Sequence, residues 1–466
     1  MLKVLRDIMG IPELRQRILL TFGLLAVYRI GFHIYLPYIN IDVLDAVIQS
    51  LKKSAGEGLI GIILIGGQLT GGNLQNATIF SLGIMPYISA SIIFSLLVKV
   101  FPRLEALQKE GESGRQQINR YTRYATVFLC LIQALIVVRW LGMPVQDLSP
   151  ISEGGFFVSC LQILVLTAGT IFLMWLGEKI TEYGIGNGVS LIIMAGIIAD
   201  MPTAAGSMLQ QVVADSTAME ERPFLVLKML ILALLFLAVV LGVVYITRAQ
   251  RRVPIQQARS VKGRRVYGGQ RHYMPIRLNS AGVLPIIFAQ SLILIPSGLI
   301  TLIAGQGNWL SDMFNQGHAV YTLCYIALIG FFTYFWTSLM FNATEIAENM
   351  KEYGSFIPGI RPGRRTAEYL EQIINRITLA GGTFLAAIAL FPQLVTDYLN
   401  VQMLISSFLG GTGILIVVGV ALDLVDKIEG QLLVRHYEGF MKAGSGSSGG
   451  GLGGGGSAPV AKGSSK

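Results

Sequence analysis

Apolar runs roughly 20 residues long recur along this chain between short polar stretches, and they constrain it more than any other feature. A run of that length crosses the ~30 Å hydrocarbon layer of a bilayer as a helix. Lipid offers no partner to backbone N–H and C=O groups, so each run must close its own hydrogen bonds. Composition agrees. Of 466 residues, 53% are hydrophobic and only 14% charged, where an ordinary soluble domain carries about 25% charged residues. The sequence predicts ten spans, near 18–37, 76–98, 122–141, 156–177, 186–200, 224–247, 279–304, 319–342, 377–396 and 401–422. A further apolar piece at 59–67 is too short to cross. A Gly-rich stretch, Gly66-Gly67-Gln68-Leu69-Thr70-Gly71-Gly72, separates it from the second span.

The net charge of +9 is sorted by alternate loops. After the second span come Lys99, Arg103, Lys109, Arg115, Arg120 and Arg123. After the sixth come Arg248, Arg251, Arg252, Arg259, Lys262, Arg264, Arg265, Arg271 and Arg277, with no acid among them. After the eighth come Lys351, Arg361, Arg364, Arg365 and Arg376. Loops 142–155, 305–318 and 393–400 hold no Lys or Arg, and 201–223 holds only Arg222. By the positive-inside rule both termini and the basic loops are expected in the cytoplasm. The expected organisation is an N-terminal segment 1–17, a first five-helix half to 215, a second to 440, and a Gly/Ser-rich tail 441–466. That tail reads as a flexible segment, native or an engineered linker. Five spans is an odd number, so two such halves would be inverted relative to each other. No residue-level repeat between them is evident.

The spans are nearly free of charge. Arg29, His33, Asp200, Lys228 and Asp423 lie where they can snorkel to headgroups. An ion-coupled transporter keeps charges near its midplane, and an intramembrane enzyme needs paired titratable groups; neither pattern is present. Cys130, Cys160 and Cys324 sit singly inside apolar runs, and the four histidines show no metal-ligand spacing. No cofactor and no catalytic residue is expected. Nor is a cleavable signal peptide, because the first span does not end in a small-residue cleavage site. The pattern favours passive conduction driven by a partner over a solute transporter or a membrane enzyme such as a lipid transferase.

A set of motifs in order then carries a resemblance. They are Ile79-Phe80-Ser81-Leu82-Gly83-Ile84-Met85-Pro86-Tyr87-Ile88-Ser89-Ala90-Ser91-Ile92, then Gly177-Glu178-Lys179-Ile180-Thr181-Glu182-Tyr183-Gly184-Ile185-Gly186-Asn187-Gly188. There follow Gly268-Gly269-Gln270 with Tyr273-Met274-Pro275, Ile357-Pro358-Gly359-Ile360-Arg361-Pro362-Gly363, and Gly410-Gly411-Thr412 opening a tenth span. From about residue 10 to 440 the chain resembles the SecY family of protein-conducting channels.

The resemblance implies an all-α polytopic membrane protein. Its ten transmembrane helices would form two inverted five-helix halves around a central pore, stopped by a short re-entrant plug helix. The plug would fall near 59–71, with Leu59, Ile60, Ile62, Ile63, Leu64 and Ile65 as its apolar residues. From the residues alone that piece could equally lie on the outer surface. An aliphatic constriction ring maps onto Ile84, Ile88, Val189, Ile193, Ile287 and Ile416. Such a ring dewets the narrowest point and excludes ions while yielding to a chain in transit. Ile84 with Ile88, and Val189 with Ile193, are i,i+4 pairs on one helix face.

A lateral gate is implied between spans two and three on one side and seven and eight on the other. There Asn279, Gln290 and Gln133 could hydrogen-bond across the gate, or cap and pack elsewhere. Unfolded secretory polypeptides, their signal peptides and membrane segments are the implied substrates, with lipid at the gate. SecE and SecG are the implied small subunits. The SecA motor or the ribosome would dock at Arg251, Arg252, Arg264, Arg265, Arg361, Arg364 and Arg365. Basic loops also set topology, which is the alternative role for most of these charges. Arg361, between Pro358 and Pro362, matches an arginine that the family uses in coupling to SecA.

Overall fold

Helix boundaries follow the prolines and glycines of the sequence. The computed structural model describes residues 11–44, 77–141, 155–215, 222–257, 260–262, 265–267, 271–286, 288–289, 292–293, 318–399 and 412–446. The expected plug residues, Ile287, Gln290, Arg264, most of the seventh span and residues 401–411 of the tenth lie outside them.

Helix α1 (Pro12–Gly31) opens at a proline, whose missing N–H is no loss in a first turn. It stops short of the expected 37. Leu36 precedes Pro37 and is driven to extended backbone, so 34–36 pairs with 77–79 instead. The Tyr35–Thr78 bridge is flanked by Ile79 N–H donating to Ile34 O at 3.0 Å and Leu36 N–H donating to Ala77 O at 2.9 Å. Helix α2 (Met85–Val100) starts later than the predicted 76, behind Gly83 at φ +57° and with Pro86 in its first turn. Pro102 opens α3 (Pro102–Lys109), bent 99° from α2 because Phe101 before it is extended. In α3, Lys109 donates to Glu105 at 2.8 Å, which holds that carboxyl below and that amine above their ordinary values.

There follow α4 (Glu112–Leu141), α5 (Phe156–Tyr183), α6 (Gly188–Asp215) and α7 (Arg222–Arg248). After the basic loop come α8 (Ala319–Met340), α9 (Ala343–Glu352), α10 (Arg364–Leu399) and α11 (Thr412–Gly446). Helix α11 runs past residue 441, where a flexible tail was expected to begin. Among the described residues, five helical stretches are long and apolar enough to cross a membrane, or six if the bent α2–α3 pair is one span.

The basic loop is not irregular. Strands β1 (Gln250–Gln257) and β4 (Arg271–Arg277) pair antiparallel from Gln250↔Arg277 to Gln256↔Arg271, and β5 (Ser355–Phe356) adds to the other edge of β1. Strands β2 (Ser260–Lys262) and β3 (Arg265–Tyr267) form a small hairpin at the far end. The apolar side of this ribbon, Val253, Ile255, Met274 and Ile276, packs with Met350, Ile357, Leu370, Ile373 and Ile377. Both long basic loops therefore share one core above α10.

The two halves do carry a residue-level repeat, contrary to the sequence-based expectation. Residues 79–90 and 278–289 share Ser, Gly, Pro and Ala at matching places: Ser81 with Ser280, Gly83 with Gly282, Pro86 with Pro285, Ala90 with Ala289. The local structure repeats too. Ser81 Oγ donates to Thr78 O at 2.7 Å and Ser280 Oγ to Arg277 O at 2.8 Å. Gly83 has φ +57° and Gly282 φ +65°.

Candidate functional site

The turn between α5 and α6 positions the first part of the site. Thr181 Oγ1 donates to Gly177 O at 2.8 Å and accepts from Gly188 N–H at 2.8 Å, folding the turn onto the end of α5. Gly186 sits at φ +94°, and a Cβ on Gly188 would overlap the Gly177 carbonyl. Asn187 Oδ1 then accepts from Val189 and Ser190 N–H at 3.1 and 3.3 Å, capping α6. This cap aims the first face of α6, Val189 and Ile193, inward.

The cap before α2 does the same for Ile84, which is fully buried, and Ile88. From α11 comes Ile416, 6% exposed. These residues meet in one apolar cluster. Its buried members include Ile84, Ile193 and Ile416, with Ile88 and Val189 packed against them. Thus the five predicted ring residues that are described converge from three elements: the α2 cap and first turn, α6 and α11. Ile287 falls outside the described residues. The cluster holds a further residue that sequence reasoning missed, Val283. Val283 aligns with Ile84 in the repeat, and that repeat is the signal that could have found it. Tyr28 of α1, Phe32 just past its end and Phe80 back the cluster, with Tyr28 and Phe80 stacked at 6.4 Å.

Beside the cluster a second contact joins α2 to the other half. Ile92, Ala281 and Trp336 are buried together, with Ile88, Leu284, Phe288 and Leu339 against them. Phe288 lies 5.7 Å from Trp336 and 5.2 Å from Phe332. Where the expected gate line is described, its contacts are apolar and aromatic. Of the polar candidates, Asn279 Oδ1 is buried with no hydrogen-bond partner among the described residues, and Gln133 is half-buried.

On the basic end, strand alternation sends Arg251 and Arg252 to opposite faces of the β ribbon. The outward face carries Arg252, Arg271, Arg277 and Tyr273, the last 61% exposed. Arg265 lies in β3. Arg361 is exposed on a loop between Gly359 at φ +85° and Gly363 at φ +103°, and its carbonyl accepts from Thr366 Oγ1 at 2.9 Å. Arg364 donates to Glu368 at 3.0 Å yet stays 92% exposed, and Arg365 is exposed. The loop is rooted by Ile357, which is 3% exposed in the shared core. At the ribbon's neck Arg248 and Arg277 lie 3.6 and 4.0 Å from the Asp426 carboxylate of α11. Among the described residues no group of three or more His, Cys, Asp or Glu could hold a metal ion.

The arrangement offers an apolar waist, a greasy seam beside it and a basic platform at one end. A family model described as SecY matches residues 78–425. The chain is similar to the protein translocase subunit SecY of Thermotoga maritima, 40% identical over 444 residues, covering 95% of this chain and 99% of that one. Its fold is similar to a solved structure of a protein-conducting channel, with TM-score 0.57, 18% identity, and coverage of 88% of this chain and 91% of that one. It is similar as well to Sec61 in the canine ribosome–channel complex from the endoplasmic reticulum, with TM-score 0.54, 17% identity, and coverage of 88% and 91%.

Proposed function

The chain belongs to the SecY family, and on that premise we propose that it is the channel subunit through which unfolded polypeptides cross a membrane or pass sideways into it. The observation that carries the reading is the convergence of Ile84, Ile88, Val189, Ile193 and Ile416 in one apolar cluster. Branched aliphatic side chains around a narrow passage exclude water and hydrated ions, yet they deform around a passing chain without specific bonds. That is the chemistry a channel for many different sequences requires. The apolar seam of Ile92, Phe288 and Trp336 is the proposed exit toward lipid, where an apolar segment partitions by transfer free energy.

The chain acts as a conduit without catalysis of its own, and the driving force comes from a partner. The basic platform of the ribbon and the Arg361 loop suits an acidic motor surface or ribosomal RNA. SecA or the ribosome is the proposed occupant, with SecE and SecG as small membrane subunits. A cytoplasmic membrane is the proposed location, and the charge bias of the loops supports an orientation with both termini inside. The apolar residues Leu59 to Ile65 are the proposed plug.

Photo-crosslinkers placed at Ile88 and Ile193 test the reading directly. In vesicles carrying a precursor arrested halfway, both should capture the polypeptide. Capture of lipid acyl chains alone would overturn it.

A further inference from the structure

We propose that Asp426 is an internal stand-in for a partner's anion. It tethers the neck of the basic head to α11 while the platform is empty, and it yields Arg277 and Arg248 to RNA phosphate when a partner docks. This rests on the reading of the head as a docking platform and names the contact that docking breaks.

The neck is where the ribbon's two strands enter and leave. Gln250 pairs with Arg277, and Leu278 N–H donates to Ala249 O at 2.9 Å, so the two chain ends move as one. Arg248 closes α7 and Arg277 closes β4, and both guanidinium groups reach the same carboxylate. Asp423, one turn earlier on α11, is already taken by Lys427 at 3.0 Å. Helix α11 is a firm post at this level, because Leu424 packs against the waist cluster and the Gly186 turn.

The tether is built to exchange. Its distances are 3.6 and 4.0 Å, whereas every other ion pair among the described residues closes at 2.8 to 3.0 Å. Tight charge-assisted bonds are of that shorter length. The side chains of Arg248, Arg277 and Asp426 are 53%, 67% and 50% exposed, so water and salt screen the contact and it adds little to stability. A loose, wet pair joining three elements suits a contact that is made and broken in use.

Arg277 also belongs to the ribbon's outward face with Arg252, Tyr273 and Arg271. Among the described residues, Arg252 and Arg271 have no carboxylate within ion-pair distance, so Asp426 is the one internal anion on this face. Tyr273 lies diagonally across from Arg252 and two places from Arg271 on its own strand, and it is 61% exposed. An exposed ring among guanidinium groups favours RNA, whose bases stack on such planes while its phosphates pair with the arginines. An acidic protein surface would leave the ring unused. A phosphate at Arg277 brings like charge against Asp426, so the carboxylate is displaced and the neck leaves α11. The head is then fixed in one orientation when idle and free to follow its partner when occupied.

Asp423 supplies the control, because Asp423→Asn removes the same charge one turn away and leaves the neck alone. The test uses the full chain in lipid nanodiscs, with non-translating bacterial ribosomes as the probe over a series of salt concentrations. Asp426→Asn should tighten binding roughly threefold or more. It should also steepen the slope of log affinity against log salt by about one, since no displaced carboxylate is left to recapture a cation. Asp423→Asn should leave the affinity within about 1.5-fold and the slope unchanged. A second readout follows the neck itself. With Cys130, Cys160 and Cys324 replaced by serine, spin labels are attached through Gln257→Cys and Glu429→Cys, both exposed sites. Their distance distribution should be narrow in the free chain and broad with ribosomes bound, and Asp426→Asn should make it broad beforehand. Should Asp426→Asn fail to fold, Asp426→Ser carries the same comparison. Equal tightening by both variants, weaker or unchanged binding by Asp426→Asn, or an unchanged label distance overturns the tether while leaving the platform reading intact. Failure of the unsubstituted chain to bind ribosomes at low salt overturns the RNA platform itself, and binding of an acidic protein in its place would reassign the face.

Discussion

At the scale of single residues the waist depends on side chains that make no hydrogen bond. Ile193 is 9% exposed and buried in the same apolar cluster as Ile84 and Ile416. Ile193→Asn should wet the constriction and raise the resting ion conductance of vesicles several-fold, while precursor transport persists. Unchanged conductance would remove Ile193 from the seal. Arg361 behaves in the opposite way, because its side chain reaches solvent while its carbonyl is pinned by Thr366. Arg361→Glu should leave the melting temperature unchanged and reduce partner-driven transport. Normal transport by that variant would reduce the loop's charge to a topology signal. The ring positions were legible only through family resemblance. An isoleucine in an apolar span faces lipid, a neighbouring helix or a pore with the same local pattern, so periodicity cannot choose among them. Val283 was missed for that reason, although the Ser-x-Gly-x-x-Pro spacing it shares with Ile84 stood in the sequence.

At the scale of elements, caps and breaks decide where the helices point. Helix α6 begins under the Asn187 side chain, which accepts from two of its free N–H groups. Asn187→Ala should cost about 1 kcal/mol of stability, read as a lowered melting temperature in detergent, and should loosen the Val189 side of the waist. The five spans that the described residues show were readable, since hydrophobic length is a one-dimensional signal. The ends were less so. Leu36 before Pro37 and Phe101 before Pro102 turn the chain to extended backbone where hydropathy alone continues a helix. The β ribbon went unread because nine basic residues masked a period-2 pattern. Val253 with Ile255 and Met274 with Ile276 alternate as strands should.

Across the whole molecule, separate stretches of chain combine into three bodies: the waist, the seam and the basic head. The head is held by one core shared between the ribbon and the segment around Arg361. Val253→Asp would put a carboxylate into that core, where an unpaired charge is expensive. The expected result is rapid protease cleavage within 250–277, weakened partner binding and intact spans. If cleavage and binding were unchanged, the two basic loops would have to act separately. Helix α11 supplies the last link. Leu415 belongs to the core of the second half and Ile416, its immediate neighbour, to the waist. Successive side chains on a helix are about 100° apart, so this one rod serves as a party wall, plastered on both sides. Turning it to widen the passage would tear the plaster in the adjoining room. The aperture must then grow from the walls that α2 and α6 provide, and a polypeptide in transit should pass off-centre, along the side away from that wall.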